Sequence, residues 1–92
     1  MRAIKKTRLY IEHNPDSEAA KLLARLVLSL ERETEFPVSD LYKLDFDRFK
    51  LALNLLDEWR LDRYYAGKGR LFDVSFQMHN MQPPEAGTST NS

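Results

Sequence analysis

The sequence predicts an α+β fold: three helices, a C-terminal β-hairpin and one further short strand at the N-terminus. Three observations carry this. Residues 45–59, DFDRFKLALNLLDEW, open on a capping aspartate and repeat apolar residues at helical spacing. Residues 14–18, NPDSE, combine a capping residue, a proline suited to the first helical position and two early carboxylates. Residues 71–78, LFDVSFQM, set Phe72, Val74, Phe76 and Met78 against Leu71, Asp73, Ser75 and Gln77, an alternation that gives a strand one buried face.

In chain order, RLYIE at 8–12 reads as the short strand, with Leu9 and Ile11 on one face. Asn14 is the expected cap of a helix running to about Glu33. That helix buries Ala19, Leu22, Leu23, Leu26, Val27 and Leu30. Phe36-Pro37-Val38 ends it, because proline cannot continue a helix. Ser39 is the expected cap of a short helix, DLYKL, and Asp45 that of a long one from Phe46 to about Arg63. Tyr64 and Tyr65 lead into the hairpin, whose AGKG turn uses Gly67 and Gly69 for positive φ. Residues 1–79 are expected to form one domain. Residues 80–92, rich in Pro, Gly, Ser, Thr and Asn, read as a disordered tail.

The chain has 92 residues, 42% hydrophobic and 30% charged, which suits one small soluble globular domain. It has no cysteine, which excludes disulfides, thiolate metal sites and cysteine catalysis. No apolar run approaches the ~20 residues of a membrane span, and MRAIKKTRLYIEH lacks the apolar core of a signal peptide. The expected location is therefore cytoplasmic. Formal net charge is zero, unlike the basic balance of a dedicated nucleic-acid binder. The charge is nevertheless segregated. Residues 1–13 and 60–70 are basic, and residues 31–47 are acidic.

The order of elements over residues 14–78, a helix–turn–helix spacing between Asp40 and Asp45 and then a hairpin, resembles a winged helix-turn-helix domain. The resemblance implies DNA contact through the helix before the wing. That helix is a poor reader. Phe46, Phe49, Ala52, Leu53, Leu56 and Trp59, widened by Leu51 and Leu55, give it an apolar arc of about 220°, far beyond the ~100° of a surface helix. This predicts a central helix packed on two sides. Its outward stripe, Asp47, Lys50, Asn54, Asp57 and Glu58, is acidic and is repelled by phosphate. Separately, LLARLVLSL followed by Phe36, Asp40, Leu41, Tyr42 and Asp45 resembles small uncharacterised proteins of proteobacteria and their phages and plasmids. That group implies no catalytic residues.

Two kinds of surface remain. Leu28, Leu51, Leu55, Leu61 and Leu71 have no evident place in the core, and they predict a contact with another protein or with a second copy in a homodimer. The alternative is a nucleic-acid backbone site made of Lys5, Lys6, Arg8, Lys21, Arg25, Arg32, Lys68 and Arg70. No catalytic set is expected. His13 and His79 lack ligand spacing, GKG at 67–69 is too short for a phosphate loop, and no nucleophile or zinc motif occurs. No cofactor and no metal are expected.

Overall fold

A computed structural model describes residues 1–61 and 65–81. These form α1 (Ala3–His13), α2 (Glu18–Arg32), a 3-10 helix (Val38–Lys43), α3 (Phe46–Trp59) and α4 (Tyr65–Met81). No strand occurs among the described residues, so the fold is all-helical and not α+β. The winged-helix architecture is thereby overturned, because the segment expected to be its wing is helix.

Both segments expected to be strands are helices. In α1 the buried residues are Ala3, Ile4, Thr7 and Ile11, a three-and-four spacing that begins upstream of the expected strand. Among the described side chains of α4 the buried ones are Leu71, Ser75 and Met78, again at helical spacing. Each stripe contains a hydroxyl residue where a hydrophobic one is usual. Gly67 is not a turn glycine. A Cβ there would lie 3.2 Å from Ile4 Cγ2, so its bare backbone lets α4 approach α1.

The central helix is α2, not α3. Leu22, Leu23, Leu26, Val27 and Leu28 are all buried, as are Ala20, Ala24 and Ser29, which covers most of its circumference. Its most extensive contact is with α4, which also packs on α1, while α3 packs mainly on α1. The core therefore sits among α1, α2 and α4, with α3 on one side. Ala52 and Leu55 are the buried residues of α3.

Local signals place the ends. Ser17, not Asn14, caps α2 through Ala20 N at 3.3 Å. Asn14 instead closes α1, with Nδ2 donating to Tyr10 O at 2.9 Å. The Tyr10 and Ser17 hydroxyls are 3.0 Å apart and tie the two helices at the corner. Asp45 caps α3 as expected, accepting from Arg48 N at 3.3 Å. Ser39 caps nothing, since the 3-10 helix starts after Pro37 with no side-chain cap. Helix α3 ends at Trp59, short of the expected Arg63. Of the expected tail, Asn80 and Met81 are helical, and the rest lies outside the described residues.

The N-terminus of α1 has a cap supplied from elsewhere in the chain. Glu58, near the end of α3, accepts from Ala3 N at 2.8 Å and Ile4 N at 3.1 Å. One carboxylate thus satisfies two free N–H groups and sits at the positive end of the helix dipole. The expected outward position of Glu58 is therefore corrected.

Candidate protein-docking face

The five leucines expected at a partner surface do not form one. Leu28, Leu55 and Leu71 are buried in the core, and Leu51 and Leu61 are half-buried. Leu28 is covered because α2 is buried around most of its circumference. Leu71 belongs to no wet strand face: as a helical residue it shares the inward line of Ser75 and Met78.

The eight basic residues are spread over three helices, and most have partners within the chain. Arg8 pairs with Glu12 at 3.2 Å and Lys21 with Glu18 at 3.3 Å. Arg25 pairs with Asp40 at 3.4 Å, and its guanidinium lies over the Phe36 ring at 5.7 Å. Arg32 lies over Phe76 at 5.6 Å and Lys68 over Trp59 at 5.4 Å. Lys5, Lys6 and Arg70 are exposed and form no ion pair among the described residues. Lys5 and Lys6 belong to α1 and Arg70 to α4, so no basic strand pair gathers them.

What the structure exposes instead is apolar. Tyr42 is 77% exposed, Phe46 75%, Val38 72% and Leu53 41%. These residues are continuous. Phe46, Phe49, Leu53 and Leu56 follow one another along α3 at intervals of three and four, which puts them on one line of the helix. Tyr42 of the 3-10 helix stacks on Phe49, with centroids 5.8 Å apart. Leu56 then opens into a groove of about 420 Å³ that also touches Leu26, Leu30, Phe36, Val38 and Leu41. The strip therefore has two characters: a projecting aromatic end at Phe46 and a concave aliphatic end at Leu56.

The charges around it are local. Glu33 lines the groove, and Asp40 is neutralised by Arg25 and by Lys43 at 3.2 Å. On the solvent side of the strip lie Lys50 and Asp57, the latter paired with Arg60 at 3.2 Å. On the opposite side of α3, Arg48 stacks over Tyr10 at 4.5 Å. Contact with Tyr10 is the main cause holding the Arg48 pKa above its usual value, with Asp45 and Asp47 adding to it and burial opposing. That cation is committed to the α1–α3 contact.

The sequence did carry a signal for this face. An apolar arc of about 220° on α3 exceeds what one side of packing can cover. In a small domain the surplus must stay outside. Ala52 and Leu55 take the inner part of the arc, and Phe46 and Leu53 are what is left over.

His13 and His79 are exposed in the last turns of α1 and α4, and among the described residues no three His, Cys, Asp or Glu side chains gather as a metal set. No described helix is long and apolar enough to cross a membrane. The chain matches no protein family, no curated protein and no solved structure.

Proposed function

We propose that this chain is a non-catalytic interaction domain that docks another protein surface through α3 and the 3-10 helix. One observation carries this: four large apolar side chains, Val38, Tyr42, Phe46 and Leu53, stand exposed on a continuous strip that ends in an apolar groove. Isolated exposed leucines are ordinary, but a contiguous aromatic and aliphatic patch beside a concavity is the usual form of a binding surface. Its aromatic residues are the type that anchors interfaces at low entropic cost. Nucleic-acid backbone contact has less support, because five of the eight basic residues contact partners inside the chain.

Affinity capture from the source cell, using wild type and Phe46→Glu/Leu53→Glu, tests the proposal. Both positions are exposed, so the double variant should keep the wild-type circular dichroism and melting curve. The expected result is a protein retained by wild type, lost with the variant and unaffected by nuclease. Equal recovery by the two baits, or recovery that nuclease abolishes, would overturn it.

A further inference from the structure

Resting on that docking-face reading, we infer that the surface it receives is a second copy of this chain, with the two α3 helices antiparallel across a twofold axis. The strip is self-complementary in only that direction. Phe46 projects at its N-terminal end, and the groove beside Leu56 lies ten residues further along the same line of α3, about 15 Å away at the helical rise. An antiparallel copy sets Phe46 of each chain level with Leu56 of the other, where the groove can take the ring. Phe49 then meets Leu53 in both senses, and the axis passes midway along α3. A twofold axis makes every contact reciprocal, so the two knobs fill the two grooves and the assembly closes at two. A parallel pair would instead crowd Phe46 and Phe49 against their own copies and leave both grooves empty.

The charges agree with the same geometry. Lys50 and Asp57 are seven residues apart and share the open flank of the strip. Antiparallel helices bring like flanks together, so Lys50 of one copy runs beside Asp57 of the other, twice. Helical side chains lean toward their own N-terminus, which in this arrangement turns the two groups toward each other. The Asp57–Arg60 pair within each chain does not compete strongly, since both side chains are well exposed, at 72% and 69%.

Sedimentation equilibrium on the full chain, from micromolar to millimolar concentration, tests this. Wild type should fit a monomer–dimer equilibrium with no larger species. Phe46→Glu should weaken the dimer about 30-fold or more, as loss of an aromatic anchor seated in a partner's groove does. Lys50→Asp alone should weaken it several-fold by placing two carboxylates together, and Lys50→Asp/Asp57→Lys should restore it. Melting curves that match wild type at a concentration where it is monomeric exclude unfolding as the cause.

A wild type that stays monomeric at millimolar concentration overturns the inference. So does a dimer indifferent to Phe46→Glu, a charge swap that fails to restore what the single reversal lost, or growth into open fibres. A monomeric chain whose captured partner still depends on Phe46 and Leu53 separates the two proposals. In that case the docking face stands and the second copy falls.

Discussion

Thr7 and Ser75 are fully buried, and neither hydroxyl has a hydrogen-bond partner among the described residues. A buried unpaired hydroxyl carries a desolvation cost of about 1–3 kcal/mol. Thr7→Val, which keeps the shape, and Ser75→Ala, which removes only the oxygen, are each expected to leave stability unchanged or raise it by about 1 kcal/mol. Urea unfolding measures this, and a loss above about 1 kcal/mol would mean the hydroxyls are bonded after all. These two residues also explain what the sequence hid. Each sits in the inward stripe of its helix, so a hydrophobic pattern skips it and the helical period disappears. Other residues were legible. Asp45 caps α3 as its position implied, and Leu22, Leu23, Leu26 and Val27 are buried as their spacing required. Asn14 and Ser17 both suit a cap, and the Tyr10 contacts decide between them three residues apart.

Helices α1 and α4 resemble strands in sequence because each contains a short stretch that alternates. Five residues of RLYIE fit alternation by chance, and the helical line of α1 becomes visible only from Ala3 and Ile4 onward. In α4 the sequence Phe72, Val74, Phe76, Met78 alternates, yet Phe76 is exposed and Leu71 buried. The glycines separate the two readings. At Gly69 a Cβ would meet nothing within 4 Å, so Gly69→Ala should stabilise α4 by up to about 1 kcal/mol. A hairpin with positive φ at that position would be destabilised by the same change. Gly67→Leu should cost about 1–3 kcal/mol by forcing Ile4 away and parting α4 from α1. Between elements, the Glu58 carboxylate joins α3 to the start of α1. Glu58→Ala should cost about 1–2 kcal/mol and fray the first turn of α1, seen as faster amide exchange at Ala3 and Ile4. Unchanged exchange there would show that the cap does not hold in solution.

A chain of 92 residues has few inner positions, and the division between core and surface decides what it can do. Three helices share the core, and α3 contributes only Ala52 and Leu55 fully. The sequence showed that apolar residues were in surplus. Three of the leucines expected outside, Leu28, Leu55 and Leu71, are buried instead, and for Leu55 the reason is that the inward arc of α3 depends on α1, which is a helix and not the expected strand. The contrast is measurable. Leu55→Ala should lose about 2–5 kcal/mol, a large share of the roughly 5–15 kcal/mol that holds a small domain. Leu53→Ala, two residues away and 41% exposed, should change stability by no more than about 0.5 kcal/mol. Comparable losses at the two positions would mean that α3 is rotated from the orientation described.

Docking by the strip that runs from Phe46 to the Leu56 groove is open to side-chain footprinting with hydroxyl radicals, on the isolated chain and on its assembled state. Tyr42 and Phe46 are 77% and 75% exposed, and Tyr65, at 75% and outside the strip, provides the reference. Assembly should suppress labelling of Tyr42 and Phe46 and leave Tyr65 unchanged. Protection of Tyr65 with Tyr42 and Phe46 still labelled would contradict it.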